Sequence, residues 1–248
     1  MTRTPADPAV LRAQTSGMDA GSLLSWARRT FGEDLVFASS LGAEDQVVTH
    51  MLVSRGLTVR IFTLDTGRMF GESYDLLQRT RTELGADVIP YLPDAEETQQ
   101  MVVEHGPNLF YDSIEKRKLC CRVRKINPLR RALSGKLAWI TGMRQEQSVT
   151  RAALEAVMWD EANGLYKINP LASWSEADVW SYIREHDVPY NRLHDRGFPS
   201  IGCAPCTRAV PEGSDPRYGR WWWERPEHRE CGLHVHEDGT HRVAALRR

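Results

Sequence analysis

Hydrophobic and polar positions follow two different periods along most of the chain, which predicts strands interleaved with helices. Apolar residues recur at helical spacing in residues 22–31, 44–56, 74–85, 95–106 and, in part, 123–133. Short apolar runs at 34–40, 58–64, 87–92 and 137–142 are typical of strands buried on both faces. The predicted fold class is therefore α/β, with a mostly parallel sheet and helices on both faces.

The same pattern divides the chain into three parts. Residues 1–20 contain Pro5 and Pro8 and no continuous apolar stretch, so we predict a flexible N-terminal arm. Residues 21–210 form the predicted α/β domain, in which 175–187 is an amphipathic helix with Ser175 as its N-cap. Residues 211–248 form a predicted C-terminal lid and mobile tail.

Composition limits the partners and the compartment. The 248 residues carry a formal net charge of −1, which gives no general indication of binding to nucleic acid or a membrane. Any anionic ligand therefore needs a local positive site. The chain contains neither a secretory signal nor an apolar run long enough to cross a bilayer, so we predict a cytoplasmic protein. Cytoplasmic cysteines stay reduced, and clustered ones then serve metal binding or catalysis.

Three loops that follow strands carry groups suited to an anionic ligand. They read "SSLGAEDQ" (39–46), "LDTGR" (64–68) and "TGMRQEQS" (141–148), and ligands of parallel sheets bind at the carboxyl ends of strands. Small residues at a helix N-terminus favour anions, Asp65 suits a sugar hydroxyl, and Arg68, Arg144 and Arg151 suit phosphate or sulfate. Taken singly, the first loop is better explained as an ordinary turn with a capping acid, and the second is equally well explained as a loop with a surface arginine.

Five cysteines suggest a metal site and one separate thiol. Cys120 and Cys121 are adjacent, and Cys203 and Cys206 form a C-x-x-C motif in a Pro/Gly loop. Four thiolates suit either zinc or a [4Fe–4S] cluster, and the adjacent pair favours the cluster. A redox dithiol is the third alternative, although such a motif should open a helix after a strand.

Charge around these cysteines agrees with an anionic cluster. Residues 116–131 contain eight basic residues and no acid, although part of this stretch must be a solvated helix face. Cys231 lies in the polar segment "HRECGLH", where His228, Arg229 and His234 would favour its thiolate. It is therefore a candidate nucleophile, with an incidental exposed thiol as the alternative.

Together these motifs resemble the assimilatory adenylyl-sulfate (APS) reductases of the PAPS/APS reductase family. The resemblance runs from about residue 20 to 236 and rests on the three loops above with "LCCRVRK", "GCAPC" and "ECGLH". It implies an adenine-nucleotide α-hydrolase-like (PP-loop-type) sheet. It also implies a [4Fe–4S] cluster on Cys120, Cys121, Cys203 and Cys206, and Cys231 as the catalytic residue.

The resemblance also implies a set of substrate-binding residues. Those of the phosphate loop are Ser39, Ser40, Gly42, Glu44 and Asp45. Those that line the nucleotide are Leu64, Asp65, Thr66, Gly67, Arg68 and Arg144. Lys125 is similar to a family lysine between cluster and substrate, and Arg217 and Arg220 resemble lid residues that contact the phosphosulfate. The tryptophans 221–223 are interpreted as packing residues of the lid.

The implied reaction converts adenylyl sulfate to sulfite and AMP through S-sulfocysteine on Cys231, with thioredoxin as the reductant. Leu41, Gln46 and Gln145 depart from the family pattern and would tune affinity. A PAPS-specific or dual-specificity reductase, an ATP pyrophosphatase-type sulfur-transfer enzyme and a non-enzymatic zinc or cluster protein are the alternatives. A monomer and a homo-oligomer are both compatible with the sequence.

Overall fold

The computed structural model describes residues 7–147, 151 and 153–225, so the predicted nucleophile Cys231 lies outside the described residues. The strands are β1 (Leu35–Ala38), β2 (Arg60–Leu64), β3 (Val88–Tyr91), β4 (Ala138–Ile140), β5 (Val157–Asp160) and β6 (Leu165–Ile168). The helices are α1 (Pro8–Thr15), α2 (Ala20–Phe31), α3 (Ala43–Ser54), α4 (Gly71–Leu84), α5 (Ala95–His105), α6 (Ile114–Cys121), α7 (Asn127–Leu133) and α8 (Glu176–Glu185).

Within the described part of the chain the strands form one sheet in the order β3-β2-β1-β4-β6-β5. Every pairing is parallel except that of β5 with β6, where Met158 lies opposite Lys167. Strand β1 is central, with Phe37 opposite Ile61 on one side and Ile140 on the other. The prediction of a mostly parallel sheet is confirmed.

Both faces of the sheet are buried, because successive residues of β1 pack into different clusters. Leu35 and Phe37 belong to a core formed with α2, α3 and α8, whereas Val36 packs with Phe62, Trp139 and residues of α7. None of these three β1 residues is more than 1% exposed. Helices therefore cover both faces, as the continuous apolar runs predicted.

Helix ends follow the predicted local chemistry. Ser175 caps α8 in a reciprocal capping box with Asp178. Gly85 ends α4 in the left-handed conformation, with φ 69°. In the described residues, no helix combines the length and apolar character needed to cross a membrane.

Three parts of the fold differ from the sequence-based expectations. The predicted flexible arm is instead helical in part, because Asp7 caps α1, Pro8 occupies its first turn, and Leu11 and Thr15 bury one side of it. α6 was not predicted, since its Lys- and Arg-rich sequence has a weak apolar period. The β5–β6 hairpin was also missed; its turn residues Asn163 and Gly164 were the available signal.

A buried ion pair joins α6 to the C-terminal segment, which is residues 211–225 of the described chain. Arg117 Nε donates to Glu224 Oε1 at 2.9 Å and a terminal nitrogen donates to Oε2 at 2.8 Å, across 107 residues of sequence. The two side chains are only 1% and 3% exposed. Breaking such a pair is costly, because the remaining charge is left desolvated without its partner.

We expect Glu224→Gln to lower the free energy of unfolding by about 3–5 kcal/mol, the usual cost of an unpaired buried charge. Denaturant unfolding measures this. The matched control is Glu83→Gln, which breaks the Arg79 pair on the surface of α4, where the side chains are 31% and 45% exposed. The control should change stability little. Equal effects of the two substitutions would contradict this prediction.

Candidate active site

The loops after β1, β2 and β4 meet at one edge of the sheet and enclose a cavity of about 340 Å³, called here the nucleotide cavity. It lies at the carboxyl ends of the parallel strands, where the topology favours a ligand. The structure brings many of the predicted substrate-binding residues to its wall: Ser39, Ser40, Gly42, Glu44, Asp45, Leu64, Thr66, Lys125, Arg144, Arg217 and Arg220.

The loop after β1 presents the N-terminus of α3 to the cavity. Gly42 is the N-cap residue and makes no side-chain cap hydrogen bond, so a ligand anion is suited to the first backbone N–H groups. Leu41 has a φ of 61°, a left-handed conformation that a non-glycine residue adopts only at a cost. Its side chain is buried, which holds the loop in this shape.

Asp45 is a buried carboxyl at the base of the nucleotide cavity. Its Oδ2 accepts hydrogen bonds from the Ser40 backbone N–H and hydroxyl, both at 2.6 Å. Burial raises the pKa of Asp45 to about 6, although the Ser40 hydrogen bonds act in the opposite direction. Asp45 therefore titrates closer to neutral pH than an ordinary carboxyl does. Its hydrogen bonds to Ser40 also hold the loop after β1 in place.

Gly142 was not predicted as a site residue, yet the cavity depends on its lack of a side chain. A Cβ there would lie 2.3 Å from Asp45 Oδ1 and 3.0 Å from Glu44 Cβ. The loop after β4 therefore packs directly on the start of α3. The available signal was the glycine within "TGMRQEQS", directly after an apolar strand.

Arg144 is paired with an acid within the cavity wall. Its Nε donates to Glu44 Oε1 at 2.9 Å, and Gln147 donates to the same oxygen at 2.9 Å. The Arg144 side chain is 6% exposed. The pair orients both groups, so Arg144 adds little net positive charge for a ligand.

Three residues of "LDTGR" are placed differently from the prediction, since Asp65, Gly67 and Arg68 do not line the nucleotide cavity. Asp65 accepts from the Gly67 backbone N–H at 2.8 Å and from the Tyr74 hydroxyl at 2.9 Å. Arg68 donates to the Pro107 carbonyl and to Asn108 Oδ1, and stacks on Phe110. These partners turn its long side chain toward the cysteines.

The four predicted cluster cysteines come together around a second, smaller cavity of about 20 Å³, called here the thiol cavity. Cys120 and Cys121 end α6, whereas Cys203 directly precedes a short 3₁₀ turn, Ala204–Cys206, and Cys206 is its last residue. None of these four cysteines is joined in a disulfide. In the described ranges, no three Cys, His, Asp or Glu side chains are grouped to hold a single metal ion.

Positive charge surrounds the thiol cavity. Arg68, Arg117, Arg124 and Lys125 line it together with the cysteines. Burial would raise the pKa of Cys203, but the charge of Lys125, a hydrogen bond with Thr66 and the charge of Arg220 together lower it. Burial and the neighbouring thiol of Cys203 raise the pKa of Cys206 to about 12. The surroundings thus lower the pKa of Cys203 and raise that of Cys206.

The nucleotide and thiol cavities share a wall formed by Lys125, Cys203 and Trp221. Lys125 lies in a π-helical turn, Arg122–Ile126, that directly follows the adjacent cysteines. Such turns are rare and are frequent at functional sites. The one lysine therefore faces both cavities.

The C-terminal segment covers the open side of both cavities. Arg217 and Arg220 line the nucleotide cavity, and Arg220 packs so closely on Gly202 that a Cβ there would lie 2.3 Å from its guanidinium. Trp221 is 1% exposed, whereas Trp222 and Trp223 line neither cavity. The interpretation of the tryptophans as lid packing therefore fits the last two better than Trp221.

Comparison with known proteins supports a single family. Residues 34–209 match the phosphoadenosine phosphosulfate reductase domain. The chain is similar to adenosine 5′-phosphosulfate reductase of Allochromatium vinosum, with 56% identity over 205 residues that cover 83% of this chain and 80% of that protein.

Solved structures agree on the fold. The crystal structure of phosphoadenylyl-sulfate (PAPS) reductase from Candida auris, a phosphate complex, matches with TM-score 0.72 and 29% identity, covering 85% of this chain and 99% of that one. Candida glabrata FMN adenylyltransferase in complex with ATP matches with TM-score 0.55 and 14% identity, covering 93% and 78%. This second likeness concerns the fold alone, and the predicted PP-loop-type architecture is confirmed.

We expect the buried carboxyl of Asp45 to make stability fall as pH rises from about 4 to about 6. In this window the folded state still holds the proton, whereas the unfolded state, with its ordinary pKa of 3.8, releases it. The shift corresponds to at most about 3 kcal/mol. Urea unfolding of the wild type and of Asp45→Asn between pH 4 and 7 measures this effect. As the pH rises, the free energy of unfolding of the wild type should fall relative to that of the variant. Parallel plots of the free energy of unfolding against pH would refute the assignment.

Proposed function

Because the chain belongs to the phosphoadenosine phosphosulfate reductase family, we propose that it reduces adenosine 5′-phosphosulfate (APS) to sulfite and AMP in sulfate assimilation. Similar curated proteins are named adenosine 5′-phosphosulfate reductase. The observation that carries the proposal is the shared wall between a cavity at the strand ends and a cavity lined by four thiols.

The substrate's anionic end lies between the N-terminus of α3 and the lid arginines. Arg217 and Arg220 face the nucleotide cavity from the C-terminal segment, and Lys125 faces it from the side of the thiols. Three cations and a helix N-terminus suit a phosphosulfate, which carries two negative charges. Leu64 and Met69 supply apolar wall for the nucleoside.

APS is preferred over its 3′-phosphorylated form. The family description and the structure from Candida auris name the phosphorylated substrate, whereas the more similar relatives, at 44–56% identity, name APS. The presence of all four cluster cysteines agrees with the second group. A dual-specificity enzyme is the alternative that the assay below separates.

The four thiols are the proposed ligands of a [4Fe–4S] cluster. Their donor chemistry fits, since such clusters are held by four Cys thiolates. The charge also fits, because four cations line the same cavity and would stabilise an anionic cluster. When bound, the cluster supplies electrostatic and structural support beside the substrate. Free thiols and a thiol reductant both require a reducing compartment, which agrees with a cytoplasmic location.

The reaction is a sulfonyl transfer in two steps. The Cys231 thiolate attacks the sulfur of APS, an S–S bond forms, the bond from sulfur to the phosphate oxygen breaks, and AMP leaves. A thiolate of reduced thioredoxin then attacks Cys231 Sγ, and sulfite departs with the electron pair of the S–S bond. The second thiol of thioredoxin resolves the mixed disulfide, so thioredoxin is oxidised and Cys231 is regenerated.

The chain's own residues make the first step feasible. Arg217, Arg220 and Lys125 offset the negative charge that would repel a thiolate and stabilise the departing phosphate. The Arg117–Glu224 pair anchors the lid directly before the tail that carries the nucleophile. Cys231 is six residues beyond Arg225, and six residues span at most about 21 Å. We propose that this stretch of chain brings the nucleophile to the substrate and afterwards presents it to a protein partner.

Anaerobically purified protein should be brown, absorb at about 400 nm and contain about four irons per chain. With reduced thioredoxin it should release sulfite and AMP from APS, and much less from the 3′-phosphorylated substrate. Equal rates would indicate dual specificity. Zinc-loaded, colourless protein that releases no sulfite would overturn both the cofactor and the reaction.

Cys231→Ser should bind APS normally and release no sulfite, since a hydroxyl cannot replace the thiolate. Its iron content should equal that of the wild type. The matched variant is Cys203→Ser, which should lose iron and activity together. Calorimetric binding, iron analysis and the sulfite assay distinguish the two roles. Sulfite release by Cys231→Ser at the normal rate would remove Cys231 as the nucleophile.

A further inference from the structure

Trp221 is a buried tryptophan that contacts two arginines, each of which lines a different cavity. The guanidinium carbon of Arg117 lies 4.9 Å from its ring centroid, and that of Arg220 lies 4.6 Å from it. Arg117 lines the thiol cavity and Arg220 the nucleotide cavity, while Trp221 lines both. The ring therefore joins a cation beside the cysteines to a cation beside the substrate.

Trp221 is also fixed from the side of the cysteines. Its backbone N–H donates to the Cys206 carbonyl at 3.2 Å, and the Glu224 N–H donates to the Trp221 carbonyl at 2.8 Å. Glu224 in turn holds Arg117 in the buried ion pair. The position of the ring is thus set by the cysteine loop and by α6, independently of any substrate.

The backbone and the side chain of Trp221 both adopt energetically unfavourable states. Trp221 has a φ of 42°, which a bulky residue rarely adopts, and its buried Nε1–H has no hydrogen-bond acceptor among the described residues. Trp222, the next residue in sequence, makes its cation–π contact with Arg208 and lines neither cavity. Strain and an unpaired buried donor at one position, beside a ligand cavity, are typical of a functional constraint.

We propose that Trp221 is a positioning residue that holds the Arg220 guanidinium toward the phosphosulfate end of the nucleotide cavity. An arginine side chain has many rotamers, so ordering it costs conformational entropy, and a terminal nitrogen of Arg220 also contacts Ser200 Oγ at 3.4 Å. The face of the indole and the close backbone of Gly202 limit the guanidinium to one orientation before substrate binds. The inference rests on the proposed function, since it concerns the same substrate.

The test compares binding of APS with binding of adenosine, which lacks the phosphosulfate. Calorimetry on protein of matched iron content measures both without turnover. Trp221→Leu should raise the dissociation constant for APS about tenfold, the loss of a desolvated cation–π contact, and leave that for adenosine unchanged. Trp221→Phe keeps an aromatic face and should lose less. Arg220→Ala should weaken APS binding, and adding Trp221→Leu to it should cost little more, because the two act as one unit.

Trp222→Leu is the matched control and should bind both ligands like the wild type. Equal APS affinity in the wild type and in both Trp221 variants would overturn the inference while leaving the proposed function intact. A parallel loss of APS and adenosine affinity would also overturn it, since it would assign Trp221 to general packing. Failure of the wild type to bind APS would remove the proposed function and this inference with it.

Discussion

The buried ion pair between Arg117 and Glu224 is the interaction on which the arrangement of the two cavities depends. It joins α6 to the C-terminal segment across 107 residues of sequence. α6 carries the adjacent cysteines, and the segment before Glu224 carries Trp221 and the lid arginines. The pair is bidentate, and the fixed geometry of its two hydrogen bonds orients the two elements relative to each other. The pair therefore contributes specificity of position, on which the chemistry relies.

Charge balance is the second constraint, because four cations face a small buried cavity. Repulsion among them is tolerable only where negative charge lies close by. Glu224 compensates Arg117, and the pKa of Cys203 is lowered despite burial, chiefly by the charge of Lys125. Burial and the neighbouring Cys203 raise the pKa of Cys206 to about 12, so deprotonation of that thiol needs further positive charge. The proposed cluster would supply that charge, and its loading would then be coupled to the ionisation of its ligands.

The sequence predicts the sheet and its ligand edge because both rest on short-range patterns: apolar runs give β1, β2, β3 and β4, and each glycine-containing loop follows its strand directly. The sequence does not predict the placement of a side chain when contacts with residues distant in sequence determine it. Arg68 follows β2 as predicted, but Pro107 and Asn108 from a distant turn hold it on the thiol side. The left-handed conformation of Leu41 is likewise invisible in sequence, because leucine rarely adopts it without tertiary packing.

Lys125 shows how a local pattern and a tertiary contact combine at the wall between the cavities. Its spacing of four residues from Cys121 already places it near the same helix face. Whether that face meets substrate depends on Cys203, which belongs to a loop 78 residues further on in the sequence, and on Trp221 beyond it. Cys203 is held there by its contact with the Thr66 hydroxyl, and Trp221 by the hydrogen bond from its backbone N–H to the Cys206 carbonyl. The nucleotide cavity and the thiol cavity are therefore built in part from the same residues, which come from the cysteine loop, the π-helical turn and the segment that carries Trp221.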